Sequence, residues 1–348
     1  MHPILSITIT RLKEFTRRPE ALFWVYFFPV LMIIVLGNAF QNQTVETFHV
    51  DVIENEHSTD LIEGLSDQSR LEVHLVDTEE SSRRLRSGKS VLAIIANDNL
   101  NDQKQYVYRI DVKRPGAAAA LNIVDDALQK AKGRVDAFTA QETPFDEPGG
   151  TYVDFLVPGL LGIGLMGGGM WGVGFAIVDM RIRKLLKRYM ATPMRKSDFL
   201  ISMILSRMVF MIPQIALTLL VAYWMFDFRI YGNYAAVIFL VVLGAFEFAA
   251  VGLMVGSRAQ TMETASGLMN FVMLPLYTLC GAFFSYERFP EIFHPIIRWL
   301  PLTPIIDSLR AVMSEGEPLL AQWPEIVVMT VWSVIPFGIA MLIFRWRD

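Results

Sequence analysis

Residues 155–178 read FLVPGLLGIGLMGGGMWGVGFAIV, and the basic stretch DMRIRKLLKR follows directly at 179–188. The first stretch carries no charge, and about 20 apolar residues are enough for a helix to cross the hydrocarbon core of a bilayer. It therefore predicts a membrane-spanning helix. The basic stretch behind it predicts that this helix ends on the cytoplasmic side.

Five more stretches have the same apolar character. They lie at residues 21–40, 208–226, 230–256, 264–286 and 326–344, and only the third of them contains a charged residue, Glu247. Hydrophobic residues make up 53% of the chain and charged residues 19%, which is a low charge content for a soluble protein. The predicted fold class is a polytopic α-helical membrane protein with six transmembrane helices and an inserted small α/β domain.

Basic residues in the short loops predict the orientation. Fourteen Lys and Arg residues lie before the first span, after the second, after the fourth and after the last, whereas four lie in short loops on the other side. The positive-inside rule therefore places both termini in the cytoplasm. No basic face remains that would indicate a nucleic-acid partner.

The long polar segment 41–150 predicts a separate extracytoplasmic α/β domain, because strand and helix patterns alternate along it. The predicted strands are 48–53, 71–76, 91–96 and 106–113, and the predicted helices are 59–65, 81–86 and 117–138. Residues 1–19 predict a cytoplasmic amphipathic helix before the first transmembrane helix at 20–40. The remaining five transmembrane helices are expected within 151–348.

The basic stretch after the second span predicts an amphipathic helix within 179–198. Ile182, Leu185, Leu186 and Tyr189 would share one face of it, and Thr192-Pro193 would end it. Two interpretations are open. The helix could lie on anionic lipid at the membrane surface, or it could fit a groove on a cytoplasmic partner.

Three glycines in the second span, Gly164, Gly168 and Gly172, are spaced four residues apart. Such spacing is typical of helices that pack closely, and lining of a transport pathway is compatible with it. The segment lacks the Lys-Ser/Thr ending of a phosphate-binding loop.

Two charged residues lie within or close to apolar stretches. A charge at the centre of a span costs about 2.5–3.5 kcal/mol on insertion scales, so Glu247 is expected to face protein or a water-filled cavity. It could be a substrate or proton site, or a structural acid that is paired or protonated. Arg207 lies near the cytoplasmic start of the third span, where a long side chain can extend its charged end toward the interface.

Prolines break the apolar pattern of residues 287–311, at Pro290, Pro295, Pro301 and Pro304. Backbone broken in this way at membrane depth must be buried in protein or line a cavity. The segment therefore predicts short re-entrant or interfacial helices on the outer side. The histidines of the outer segment, His49, His57 and His74, are scattered and have no metal-ligand spacing.

The order of parts is similar to that of the type-2 permease family of ATP-binding-cassette (ABC) transporters, in the bacterial subtype with a large extracytoplasmic domain after the first span. The stretch KLLKRYMATPMRKSDFL at 184–200 resembles the coupling helix of the family. GAFFSYERFP at 281–290, with LPLTP at 300–304 and DSLR at 307–310, resembles its re-entrant element. The outer segment that opens FHVDVIEN at 48–55 is similar to its inserted domain. The family often has an Arg-Glu pair before the coupling helix, and here Asp179 is the available acid.

This resemblance implies a permease subunit in the bacterial inner membrane that binds no cofactor itself, with ATP and Mg on a separate cytoplasmic ABC ATPase. It also implies a second permease, identical or related, and allows a periplasmic adaptor. The expected substrate is hydrophobic or amphipathic, and the expected direction is export. The residues expected to couple to the ATPase are Asp179, Arg181, Arg183, Lys184, Leu185, Lys187, Arg188, Tyr189, Thr192 and Pro193.

Two further sets of residues follow from the resemblance. Those expected to line the pathway or pack beside it are Gly164, Gly168, Gly172, Glu247, Asn270 and Tyr277. Those of the re-entrant element are Phe284, Pro290, Pro301, Thr303, Pro304 and Arg310. The alternatives are a membrane receptor or assembly factor whose outer domain binds a ligand, and a membrane-embedded enzyme that uses Glu247 or a histidine.

Overall fold

The computed structural model describes residues 3–17, 19–41, 47–55, 58–66, 68–99, 103–111, 114, 116–136, 138, 150–191 and 196–343. The chain forms two compact units. The helical unit comprises Met1–Gln41 and Asp146–Asp348, and the sheet unit comprises Asn42–Phe145.

The N-terminal part of the helical unit consists of three helices. Helix α1 spans Pro3–Thr16 and α2 spans Pro19–Leu22. A π-helical turn at Phe23–Phe27 joins α2 to α3, which spans Phe28–Gln41.

The sheet unit contains four strands in the order β2-β1-β3-β4. The strands are β1 Phe48–Ile53, β2 Leu71–Val76, β3 Leu92–Asn99 and β4 Gln103–Ile110, and the helices are α4 Ser58–Leu65, α5 Thr78–Ser87 and α6 Ala117–Ala131. Strand β1 runs parallel to both neighbours, and β4 is antiparallel to β3. Because β1 alternates, Val50 and Val52 pack with Leu61 of α4 and Val124 of α6 in one core.

These elements confirm the predicted strands and helices in type and order. The predicted last helix was too long, because α6 ends at Ala131 and Gly133 then adopts a positive φ of 94°. An L residue rarely adopts that conformation, and glycine adopts it freely, so the helix stops there.

The rest of the helical unit is built around a buried helix, α11. Its helices are α7 Tyr152–Gly169, α8 Ala176–Ile182, α9 Leu185–Met190, α10 Lys196–Phe226, α11 Tyr234–Gly256, α12 Met262–Leu279, α13 His294–Trp299, α14 Leu302–Met313 and α15 Trp323–Ile343. A second π-helical turn, Met170–Phe175, joins α7 to α8. Helix α11 packs against α7, this π-helical turn and α15, and its Phe248 is fully buried.

Among the described residues, five helical stretches are long and apolar enough to cross a bilayer: Phe23–Phe40, Tyr152–Ile182, Ile201–Phe226, Tyr234–Gly256 and Leu319–Ile343. The predicted span at 264–286 forms α12, which has 18 residues and ends at Leu279. Gly281 follows with a positive φ of 73°, which ends the helix early. The crossing count of six stays a prediction.

Apolar side chains cover much of the exterior of these helices. Trp224 is 82% exposed and Leu342 is 88% exposed. Contiguous apolar surface of this kind is rare on a soluble monomer, and it suits contact with lipid or another apolar surface.

Candidate functional site

A cavity of about 720 Å³ lies inside the helical unit, between its N-terminal helices, α7 and α10. The residues around it are Arg11, Glu14, Phe15, Trp24, Val25, Phe28, Pro29, Leu160, Ile163, Gly164, Gly167, Gly168, Trp171, Gly172, Ala176, Ser206, Arg207, Phe210, Gln214, Tyr277 and Phe283. Most of this wall is apolar or aromatic, and the tilted rings of Phe15 and Phe210 have their centroids 4.0 Å apart. Such a wall suits a ligand with a large apolar body.

Both π-helical turns border this cavity. Trp24 and Val25 come from the first turn, and Trp171 and Gly172 come from the second. A π-helical turn widens the helix locally and is frequent at functional sites. The presence of two π-helical turns in its wall therefore favours this cavity as a functional site.

Arg207 is a charged group of the cavity wall that has no acidic partner within the described part of the chain. Its side chain is only 6% exposed, and its Nη2 donates to Gln214 Oε1 at 3.4 Å. Its Nε is buried and has no hydrogen-bond partner among the described residues. Arg11 and Glu14, which also line the cavity, pair with each other at 2.6 Å. The cavity therefore has one uncompensated positive charge, which favours a negatively charged ligand group.

Arg207 does not use its ability to extend to the interface, since it is buried in the helical unit. The side chain is held inside because the facing surface of α7 is made of glycine. A Cβ on Gly168 would overlap the guanidinium, and a Cβ on Gly172 would lie 3.1 Å from Arg207 Cδ. At Gly164 a Cβ would lie 2.5 Å from Gln214 Nε2. The glycines at four-residue spacing thus accommodate two polar side chains of α10.

The close helix–helix contact is made by other glycines. A Cβ on Gly169 would overlap the backbone of Phe248, and a Cβ on Gly252 would overlap the carbonyl of Gly169. A Cβ on Gly174 would overlap the carbonyl of Gly252, and a Cβ on Gly256 would lie 2.6 Å from the carbonyl oxygen of Gly174. Helix α11 and the second span therefore touch backbone to backbone, as small residues allow in membrane proteins.

The other expected pathway residues are not brought together. Tyr277 lines the cavity, but Asn270 lies exposed on α12 and Glu247 lies fully buried in α11. Both carboxyl oxygens of Glu247 lack a hydrogen-bond partner within the described part of the chain. An unpaired buried carboxylate is strongly disfavoured, so this packing suits the neutral acid.

The predicted amphipathic helix of the basic stretch is broken. Lys184 adopts a positive φ of 59°, which separates α8 from α9. Ile182 is therefore 43% exposed, away from Leu186, which is 2% exposed and packs in one cluster with Phe199. The ring of Tyr189 lies 5.4 Å from that of Phe199. The apolar side of α9 is thus covered by the chain itself.

The polar residues of this stretch divide into two groups. Arg181 donates to the carbonyls of Gly256, Ser257 and Ala259 at 3.1, 2.9 and 2.7 Å, and so satisfies the C-terminal end of α11. Asp179 accepts a hydrogen bond from Arg183 at 2.8 Å. The exposed basic residues are Arg183, Lys184, Lys187 and Arg188. Thr192 and Pro193 lie outside the described residues.

The segment after α12 forms the predicted short helices: 3₁₀ turns at Tyr286–Arg288 and Glu291–Phe293, then α13 and α14. Pro301 precedes α14, and Thr303 and Pro304 are buried in it. Phe284 and Pro290 are exposed. Arg310 donates to Gly281 O at 3.0 Å and lies 3.8 Å above the ring of Phe155. Arg310 therefore ties α14 to the ends of α7 and α12.

Comparison with known families agrees with this architecture, because residues 19–342 match the model of ABC-2 family transporter proteins. The chain belongs to the ABC-2 transporter family. It is thus a membrane protein with several spanning helices, as the apolar exterior of the helical unit indicates.

Three relatives illustrate the range of ABC-2 proteins that the chain resembles. ABC transporter G family member 20 of Dictyostelium discoideum is 24% identical over 212 residues, which cover 60% of this chain and 29% of that protein. Nodulation protein J of Rhizobium leguminosarum bv. trifolii is 28% identical over 108 residues, 31% of this chain and 41% of that protein. Linearmycin resistance permease protein LnrN of Bacillus subtilis (strain 168) is 24% identical over 147 residues, 42% of this chain and 38% of that protein. The chain thus spans less than half the length of each of these relatives.

Proposed function

We propose that this chain is the transmembrane subunit of an ABC exporter in the bacterial inner membrane. In this proposal a separate cytoplasmic ATPase binds ATP and Mg and drives an amphipathic substrate outward. The observation that carries it is the ABC-2 match over residues 19–342 together with the apolar cavity that contains Arg207. The chain itself would do no chemistry on the substrate.

The cavity supports a substrate with an apolar body and a negatively charged group. The aromatic walls offer dispersion and stacking contacts. The guanidinium of Arg207 belongs to the same cavity wall and has no acidic partner among the described residues. A substrate carboxylate, sulfonate or phosphate would compensate that charge.

Export as the direction is supported by the names of relatives. One relative is named a linearmycin resistance permease, and we take resistance to a compound to favour export as the direction here. The excess of basic residues in the predicted inner loops supports cytoplasmic termini, with the stretch 179–198 on the side of the ATPase.

The basic surface of α8 and α9 is the proposed contact with the ATPase. Because the apolar side of α9 is covered by Phe199 and its neighbours, only the basic side remains for a partner. This favours an electrostatic contact over insertion of the helix into a groove. A second permease subunit, identical or related, completes the proposed transporter, and a periplasmic adaptor is a possible addition to it.

The test is copurification with the cytoplasmic ABC ATPase proposed as the partner of this chain. We expect charge reversal at Arg183, Lys184, Lys187 and Arg188 to abolish copurification while the purified chain keeps the circular dichroism of the parent chain. The matched control reverses three exposed arginines of the predicted outer side, Arg229, Arg288 and Arg298, and should copurify normally. Undiminished copurification of the first variant would overturn this docking surface.

A further inference from the structure

Three polar side chains on β1 and β2 lie together on one face of the sheet unit. His49 of β1 is the register partner of Glu72 of β2, and His74 lies two residues further along β2, on the same face. The opposite face carries Val50 and Val52, which belong to the apolar core. The position of the three side chains therefore follows from the strand register and the two-residue alternation.

One ligand atom from each of these three side chains lies within 4.8 Å of the other two. His49 Nδ1 lies 3.4 Å from His74 Nε2 and 3.3 Å from Glu72 Oε2. His74 Nε2 lies 3.6 Å from Glu72 Oε1. The carboxylate thus lies between the two imidazoles, with one oxygen toward each.

These distances match those between the ligands of a tetrahedral metal. Zinc binds imidazole nitrogen and carboxylate oxygen at about 2.0–2.2 Å, so two tetrahedral ligands lie roughly 3.3–3.6 Å apart. Hydrogen bonds between nitrogen and oxygen are shorter, with a usual range of about 2.7–3.2 Å. The spacing of the two imidazole nitrogens, and that of His49 Nδ1 from one carboxylate oxygen, therefore fits a shared cation.

The three side chains are accessible to an ion from solvent. The exposed fractions are 46% for His49, 33% for His74 and 54% for Glu72. The pairing of β1 with β2 holds the backbone of all three in place without a metal. An ion would therefore find its ligands already close together, and the fourth coordination position would face outward.

We propose that His49, Glu72 and His74 bind a divalent transition-metal ion of the zinc type. Two neutral imidazoles and one carboxylate suit zinc, cobalt or nickel, and they suit calcium and magnesium poorly, because those ions prefer an all-oxygen shell. Three protein ligands leave the fourth position to water or to a donor from another molecule. The site is independent of the transport activity proposed for the helical unit.

The test uses the full chain, purified in detergent without a polyhistidine tag and titrated with Co²⁺. We expect one ion per chain and the intense visible absorption of four-coordinate cobalt, which Zn²⁺ removes and a hundredfold excess of Ca²⁺ does not. His49→Ala and His74→Ala should each weaken Co²⁺ binding at least tenfold and abolish the intense absorption. Glu72→Gln should weaken binding because the amide carries no charge.

Two controls keep this test decisive. Glu79→Gln changes an exposed acid of the sheet unit outside the cluster, and His294→Ala removes a histidine of the helical unit, so both should bind Co²⁺ like the parent chain. The variants at His49 and His74 should keep the parent circular dichroism, since both side chains lie outside the core. Tight four-coordinate binding that persists in the double variant His49→Ala/His74→Ala would overturn the proposal, and so would the absence of binding in the parent chain.

Discussion

The guanidinium of Arg207 lies directly against Gly168, where a Cβ atom would overlap it. Helix α10 thus supplies a buried cation, and α7 supplies a glycine surface on which the cation fits. The positive charge of the cavity is that of Arg207, and Gly168 leaves the space in which Arg207 lies.

The first prediction concerns Gly168. Gly168→Ala should lower the thermal midpoint, because the methyl group forces Arg207 from its place and overpacking costs about 1–3 kcal/mol. Gly167→Ala is the matched control, since a Cβ there meets nothing within 4 Å. Equal midpoints for the two variants in a detergent melting experiment would contradict the packing described for Arg207.

The second prediction concerns the backbone contact between α11 and the second span. Gly252→Ala should destabilise the chain more than Gly168→Ala, because its methyl group would meet the Gly169 carbonyl rather than a side chain that can move. Gly267→Ala in α12 is the control, since nothing lies within 4 Å of a Cβ at that position. Thermal melting of the three variants ranks their stabilities. A Gly252→Ala midpoint equal to that of Gly267→Ala would argue against a close backbone contact between α11 and the second span.

The third prediction separates Arg181 from its exposed neighbours. Arg181→Gln should lower stability by about 1.5–3 kcal/mol, the contribution of hydrogen bonds from a charged donor, because three carbonyls at the end of α11 lose their partner. Arg183→Gln breaks an ion pair whose arginine side chain is 61% exposed, and it should change stability by about 0–1 kcal/mol. The measurement is thermal unfolding of both variants. An Arg181→Gln chain as stable as the parent chain would show that the carbonyls find other partners.

The fourth prediction concerns Glu247. Glu247→Gln should keep the stability and the activity of the parent chain, because the amide resembles the neutral acid that the packing favours. Glu247→Lys should prevent proper folding, since a cation with no partner at this depth costs about 2.5–3.5 kcal/mol on insertion scales. The yield of monodisperse protein measures folding of both variants. The ATPase activity of the complex measures the function of Glu247→Gln. A stable Glu247→Gln variant without activity would instead assign Glu247 a functional role.

Much of the fold is predictable because its signals are local. The length of the apolar stretches marks the long helices, and the alternation of residues 48–53 and 71–76 marks β1 and β2. The prolines of residues 287–311 mark the short helices after α12 in the same way. Each of these signals lies within one element and needs no knowledge of its neighbours.

The site is less predictable because it depends on which elements face each other. Gly168 and Arg207 lie on different helices, so neither residue indicates its partner. His49 and His74 looked scattered because only the register of β1 with β2 brings them together. The sequence does not predict the helix break at Lys184, because lysine rarely adopts a left-handed backbone conformation. Tertiary packing selects that conformation here.

The most direct test of the proposed transport function is ATP-driven movement of an anionic amphiphile through the complex. Inside-out proteoliposomes with this chain and its ATPase should accumulate 1-anilinonaphthalene-8-sulfonate when ATP is present. Arg207→Gln should reduce the accumulation at least tenfold, while Arg207→Lys retains part of it and both variants still bind the ATPase. Equal accumulation by the parent chain and Arg207→Gln, or no ATP-dependent accumulation by a parent complex that hydrolyses ATP, would contradict the role proposed for this cavity.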